Sequence, residues 1–333
     1  MSSHEPTAAL PSATPVPVLQ RWTLASHDVD EQAQLLPSWE QAYVQLETGR
    51  FESRIDGVLL SDSLGLFRKA TNRKLHKTFS TPDDTYAVAL LTSASDGIRF
   101  QGCDANRGDA LLLPPGHAYD IVCRGRFDVL VATLPMARLQ PLWSDATQRG
   151  CALRPGIARA SREFGALGML LASMVDGSLA ALPDVATNER ILGNLLTDLE
   201  ERLIVGLDAD RTEAGTSEIP GSMAETALRE ARRILVDEAL DVGAVPSVSE
   251  LARRLGISVR LLHQVFRQRM GVAPRSYAQS LRLSHARADL RAARPGAVTV
   301  AEVAAKWGFW HLGRFASTYR ATFGELPSQS LRH

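Results

Sequence analysis

The chain is predicted to be a multidomain α+β protein, with an N-terminal β-barrel, a helical segment after it, and a C-terminal all-α domain carrying two helix-turn-helix motifs. Three observations predict this. Its 333 residues suffice for two domains, each burying its own core. Short strand-like runs crowd the first half, whereas one helical unit occurs twice in the second. The charge is also divided. The whole chain balances 37 Lys+Arg against 37 Asp+Glu, but residues 222–333 hold 17 basic and nine acidic side chains, a net of +8. Residues 1–221 then hold 20 and 28, a net of −8. Such asymmetry points to a nucleic-acid-facing module on an acidic body, although Arg-rich helices can also be plain solvated surface.

Composition narrows the class. At 45% hydrophobic and 22% charged residues the chain can fold into globular cores. Three cysteines (Cys103, Cys123 and Cys151), none in a C-x-x-C pair, fit a reducing compartment better than a disulfide framework. The first twenty residues contain neither Lys nor Arg and no apolar core, so no secretory signal is expected. The longest apolar stretch, near Ala166–Val175, is about half of a membrane span. The expectation is a cytoplasmic protein with no membrane partner.

In chain order, residues 1–20 (Met1–Pro17 above all) read as a disordered tail, rich in Pro, Ala, Ser and Thr. Residues 21–206 read as an effector-binding and dimerisation domain, with the barrel at about 50–135. Its strand-like runs are Gly57–Leu60, Leu64–Arg68, Tyr86–Leu91, Asp109–Leu113, Ala118–Cys123 and Phe127–Leu134. One segment is more specific. Gly108-Asp-Ala-Leu-Leu-Leu-Pro114-Pro115-Gly116 matches the G-x5-P-x-G turn of cupin-type barrels, so the barrel is expected to be cupin-like. The metal-binding form of that barrel needs a His two residues after the turn, and here Tyr119 stands there. Its H-x-H pair is missing too, since His76 lies between Leu75 and Lys77. His117, beside the turn, reads as a surface or pocket-lining residue. No metal, cofactor or catalytic residue is expected, and the barrel reads as a binding module for a small molecule.

Beyond the barrel the period becomes helical, over Ile157–Ala181 and Asn188–Leu207 (helices at about 157–206). The second places Leu192, Leu195, Leu196, Leu199 and Leu203 on one face, which suits packing on the barrel and also a homodimer. Residues 207–222, LDADRTEAGTSEIPGS, have the polar, Gly- and Pro-punctuated composition of a linker.

Residues 223–333 form the C-terminal domain, with helix-turn-helix units at 247–270 and 299–323. Ala252, Leu255 and Gly256 recur 52 positions later as Ala304, Trp307 and Gly308. Leu262, Phe266, Met270 and Gly271 recur 53 positions later as Phe315, Tyr319, Phe323 and Gly324, so the second turn has one extra residue. In each copy a small Ala lets two helices cross closely, and a Gly turns the chain where a side chain would strain it. A nearby Pro follows each copy (Pro274, Pro327), and Arg275–Ala292 between them suits a rigid connecting helix.

These residues resemble the DNA-binding domain of AraC/XylS-type transcriptional regulators. The XylS-like branch is echoed through Gly308-Phe-Trp-His-Leu-Gly-Arg-Phe-Ala-Ser-Thr-Tyr-Arg-Ala-Thr-Phe-Gly-Glu-Leu-Pro-Ser328. The resemblance covers about a third of the chain at high specificity and reaches the barrel only through the Gly108–Gly116 turn and the domain order. It implies sequence-specific binding of double-stranded promoter DNA by both units of one chain, and hence a nucleoid-associated protein. It also implies a transcriptional activator that works with RNA polymerase and answers to a small organic effector in the N-terminal domain. Two positions depart from the family pattern. Trp310-His311 replace the Ser residues that open the last recognition helix, altering its N-cap, and Ser330 replaces a Tyr.

On the first recognition helix Leu262, Val265, Phe266 and Met270 fall on the buried stripe, which leaves Arg260, His263, Gln264 and Arg267 for the groove. On the second, Leu312, Phe315, Tyr319 and Phe323 are expected inside, with Gly313, Arg314, Ser317 and Arg320 outside. Arg pairs bidentately with guanine and Gln with adenine, so Arg314 is the foremost candidate for base readout, and Arg320 for a phosphate. An effector-independent regulator is the alternative; a cupin-type enzyme lacks its ligands, and an alkyltransferase lacks clustered thiols around Cys103, Cys123 and Cys151.

Overall fold

The computed structural model describes residues 20–61, 64–140, 155–177, 197, 201, 223–240, 246–294 and 296–331. The N-terminal domain consists of two antiparallel sheets laid face to face. Its strands are β1 (Gln20–Ser26), β2 (Gln41–Gln45), β3 (Ser53–Ser61), β4 (Leu64–Thr71), β5 (Leu75–Ser80) and β6 (Thr85–Ala94), then β7 (Ile98–Phe100), β8 (Cys103–Ala105), β9 (Ala110–Leu113), β10 (Ala118–Cys123), β11 (Phe127–Pro135) and β12 (Gly156–Ala158). One sheet has the order β1-β3-β4-β11-β6-β9-β12 and the other β2-β5-β10-β7-β8. Among the described residues no ladder joins the two sheets, so the cupin-like barrel expected from the turn motif is not closed. The sheets also begin at Gln20, well ahead of residue 50, because the edge strands β1 and β2 carry only weak apolar alternation.

The central strands alternate, yet they read as nearly continuous apolar runs because both faces are covered. On β6, Tyr86, Val88 and Leu90 pack outward against helix α2 (Arg162–Val175) with Phe164, Leu167 and Leu171. Ala87, Ala89 and Leu91 point between the sheets, toward Phe79, Ile121 and Tyr119. Helix α2 is shorter than the Ile157–Ala181 pattern. Ile157 belongs to β12, paired with Leu111, and the helix begins after Ser161, whose hydroxyl accepts from the Phe164 N–H at 3.2 Å. A strand that lies on a buried sheet edge is as apolar as a helix face, and periodicity alone does not separate them. A short helix α1 (Val29–Gln34), capped by Asp28, joins β1 to β2. The segment Asn188–Leu207 with its leucine stripe lies, apart from Thr197 and Glu201, outside the described residues. So do the 1–17 tail, the 207–222 linker and Cys151.

The C-terminal domain comprises α3 (Met223–Leu240), α4 (Val248–Arg254), α5 (Val259–Met270), α6 (Pro274–Ala292), α7 (Val300–Lys306), α8 (Leu312–Phe323) and α9 (Pro327–Ser330). Its core gathers Leu251, Ala252, Leu262, Phe266, Tyr277, Leu281, Leu290, Ala304, Trp307, Phe315 and Tyr319. Leu46 and Val122 of the N-terminal domain join the same cluster, so the outer face of the five-stranded sheet packs on the helices.

Candidate nucleic-acid interface

Each helix-turn-helix unit is shaped by local chemistry. In the first, Ser247 caps α4 by accepting from the Glu250 N–H at 3.1 Å, and Ser258 caps α5 by accepting from the Leu261 N–H at 3.1 Å. In the second, Thr299 and Glu302 form a reciprocal capping box at the start of α7. The turns pass through Gly256 and Gly308 at φ 64° and 73°, and α5 and α8 end at Gly271 and Gly324 at φ 68° and 79°, a region where a Cβ would be strained. His311 caps α8 with no side-chain hydrogen bond, which fits the Trp310-His311 departure from the family pattern. Ser330, the other departure, is fully buried: it shares a 2.6 Å hydrogen bond with the Tyr319 hydroxyl and donates to Glu325 at 2.7 Å. The smaller side chain is thus absorbed into a polar network.

The fold brings the expected side chains together on the free faces of α5 and α8. Arg260, Gln264 and Arg267 are exposed and His263 is half-buried, while Leu262, Val265, Phe266 and Met270 are buried. On α8, Gly313, Arg314, Ser317 and Arg320 are exposed. Ser317 donates its hydroxyl to the Arg314 carbonyl at 3.0 Å, so it is partly occupied within its own helix. One expectation fails: Leu312 does not join Phe315, Tyr319 and Phe323 inside but is 47% exposed. It is the first residue of the helix, two positions after Trp310, which is 77% exposed. Two large apolar groups thus stand at the N-terminal end of α8, where they could meet a thymine methyl.

The opposite ends of both helices are gripped by the N-terminal domain. Arg124 donates to the Gln268 carbonyl at 2.8 Å near the end of α5, and Arg269 donates to the Gly102 carbonyl at 2.9 Å. At the end of α8, the Gly49 N–H donates to the Ala321 carbonyl at 2.7 Å, and Gln45 Nε2 donates to the Thr322 carbonyl at 2.9 Å. The final carbonyls of a helix have no partner within it, so the bonds to Gln268, Ala321 and Thr322 satisfy them from outside.

Sequence reasoning missed a polar bridge behind this grip. His76, on the outward face of β5, is buried. Burial holds its imidazole below the ordinary pKa of 6.5 and hence neutral. The tautomer that satisfies both ring nitrogens donates from Nε2 to Asp120 at 2.8 Å and accepts the Tyr277 hydroxyl at Nδ1, at 3.1 Å. Burial opposes the charge on Asp120, but the bond from His76 and the Arg232 guanidinium outweigh it and hold its carboxyl well below the usual range. A second bridge joins Asp28 to Arg287 and Arg291, and Arg287 also reaches Glu325 at 2.9 Å while lying 4.4 Å from the Phe323 ring centre. Asp120 and Arg232 lie 112 residues apart, His76 and Tyr277 201, and Asp28 and Arg287 more than that, so no local pattern marks them. The only signal in the sequence is polar residues in otherwise apolar surroundings.

Two helix-turn-helix units on one connecting helix, docked against a two-sheet sandwich, define a two-domain helix-turn-helix protein. Comparison with known proteins agrees domain by domain. Residues 251–333 match the family described as "Helix-turn-helix domain", and residues 43–207 match the "AraC-binding-like domain". The chain is 43% identical over 86 residues to the "Probable thc operon regulatory protein" of Rhodococcus erythropolis, 26% of each chain. It is 40% identical over 86 residues to the "XylDLEGF operon transcriptional activator" of Pseudomonas putida, 26% of this chain and 27% of that one. These matches span about a quarter of the curated relatives' length. The crystal structure of the AraC-like transcriptional activator CuxR aligns with 81% of this chain and 96% of its own, at 15% identity and a TM-score of 0.44. One chain thus joins an AraC-binding-like domain to a helix-turn-helix domain, and about a quarter of it is similar to part of a XylDLEGF operon activator.

Proposed function

We propose that the protein is a sequence-specific DNA-binding transcriptional regulator, acting as an activator, whose output is controlled by a small organic effector held in the N-terminal domain. The observation that carries this reading is the pair of exposed faces on α5 and α8, joined through one rigid helix, α6. Arg260, Gln264 and Arg267 would enter one major groove, and Gly313, Arg314, Ser317 and Arg320 the next, about 34 Å along the same side of the duplex. His263 would border the first contact. Arg314 and Arg260 would read guanine edges, Gln264 an adenine, and Arg320 a phosphate. Gly313, with no heavy atom within 4 Å of an added Cβ, leaves room for the duplex to approach. The family resemblance adds RNA polymerase and a second copy of the chain as partners.

The test is selection of bound sequences from a random duplex pool, followed by footprinting of the winner. Two protected major grooves one helical turn apart are expected, and protection confined to a single half-turn would refute the bipartite reading. The grip of Gln45, Gly49 and Arg124 on the far ends of α5 and α8 supports control by the N-terminal domain, since a shift of that sheet would reposition both helices at once.

A further inference from the structure

The N-terminal domain holds a narrow slot between its two sheets that neither the DNA-facing helices nor the interdomain bridges use. Two of its lining residues are lysines, Lys69 of β4 and Lys77 of β5. Both occupy inward register positions that their strands otherwise give to apolar groups, Phe67 beside Lys69, and Leu75 and Phe79 beside Lys77. Lys69 is 3% exposed. Its ammonium donates to the Tyr43 hydroxyl, and Lys77 Nζ lies 4.0 Å from the Phe79 ring centre and 5.5 Å from that of Tyr43. The described lining contains no Asp or Glu, and neither lysine is paired with a carboxylate among the described residues.

Holding two ammonium groups in an apolar slot without an anion, Lys69 buried and Lys77 half-buried, is costly, and ring faces return only part of that cost. A methionine at either position would fill the space at no electrostatic penalty. This lining is complementary to one negative charge carried on an otherwise apolar body. We infer that it binds a small organic monocarboxylate, its carboxylate between Lys69 and Lys77 and its flat or slender hydrocarbon part against Trp39, Phe67 and Phe79. This rests on the reading of the N-terminal domain as an effector module and names the chemistry of that effector. The free volume of about 40 Å³ requires a slender occupant or walls that part around it. Leu36, Trp39 and Tyr43 line the slot within a stretch of chain that begins at Asp28 and ends at Gln45 and Leu46. Those terminal residues touch the C-terminal domain, so an occupant that displaces the stretch acts on the grip directly.

Burial lowers the Lys77 pKa to about 7 and that of Lys69 well below its ordinary value, Lys77 adding to the latter. The other titratable groups facing them, Tyr43 on β2 and Cys123 on β10, are both raised by burial and stay neutral, Cys123 to about 12. A carboxylate needs charged ammonium groups, so its binding takes up a proton and weakens as pH rises above about 7.

Calorimetric titration of the full chain with phenylacetate, hexanoate and their amides, in two buffers of different ionisation enthalpy, tests this. Acid is expected to bind roughly 10- to 100-fold more tightly than the matching amide, with proton uptake. Lys69→Met and Lys77→Met should each erase that preference while raising the melting temperature of the ligand-free protein. Lys77→Arg, which keeps the charge, should retain it. A structural role would instead lower the melting temperature of both methionine variants and leave the acid preference intact. Amides that bind as well as acids overturn the carboxylate assignment and leave the effector reading standing. If no probe binds and none changes DNA affinity, both fail.

Discussion

Replacing Asp28 by Asn isolates the bridge between the domains. Asp28 serves two structures at once. Its Oδ1 accepts from the Asp30 and Glu31 N–H groups at 2.7 and 3.1 Å, capping α1, and its Oδ2 meets Arg287 and Arg291. Asparagine caps a helix as well as aspartate does, so the substitution spares α1 and removes only the charge. Breaking a buried ion pair by deleting one partner costs about 3–5 kcal/mol. Here Arg287, 4% exposed, keeps Glu325 at 2.9 Å, and Arg291, 31% exposed, can turn to water. The expected loss is therefore about 2–3 kcal/mol, at or below the low end of that range. Urea unfolding of wild type, Asp28→Asn, Arg287→Met and the double variant closes a cycle. Methionine keeps the apolar packing over Phe323, so the non-additive part, roughly 1–2 kcal/mol, belongs to the ion pair. A cycle additive to within about 0.5 kcal/mol would refute the claim that this pair couples the domains.

Three further outcomes are expected. Arg314 has no ion-pair partner among the described residues, so Arg314→Ala should leave the melting temperature unchanged while costing about 1–3 kcal/mol at one guanine of the selected duplex; equal binding of every single-base variant by mutant and wild type would count against base readout. Because His76 is held below 6.5, the folded state binds fewer protons than the unfolded one, and its contribution is present above about pH 6.5 and lost as pH falls through its folded pKa. Urea midpoints should drop below pH 6.5 in wild type and stay flatter in His76→Gln, and identical pH profiles would remove His76 from the bridge. Phe266 is fully buried at the α5–α6 crossing, 5.8 Å from the Tyr277 ring, so Phe266→Ala should destabilise the C-terminal domain by about 3–5 kcal/mol in thermal or urea unfolding.

What the sequence determined by itself is the part of the molecule held by short-range chemistry. The repeated Ala, Gly and aromatic spacing located α4–α5 and α7–α8, because caps, turns and one buried stripe act within about fifteen residues. Even there Leu312 misled, since helical phase says which way a side chain points and not whether a neighbour is present to cover it. The strands Ala118–Cys123 and Phe127–Leu134 were legible from their apolar runs, whereas β1 and β2, half-exposed at sheet edges, were not, and Ile157 passed for helix because a covered strand has no polar face. The tertiary structure alone decided the rest. Pairing His76 with Tyr277, Asp28 with Arg287 and Lys69 with Lys77 depends on which surfaces the two sheets and the five longer described helices bring together. Polar side chains buried at such distances are recognisable only by the partners that make their burial tolerable.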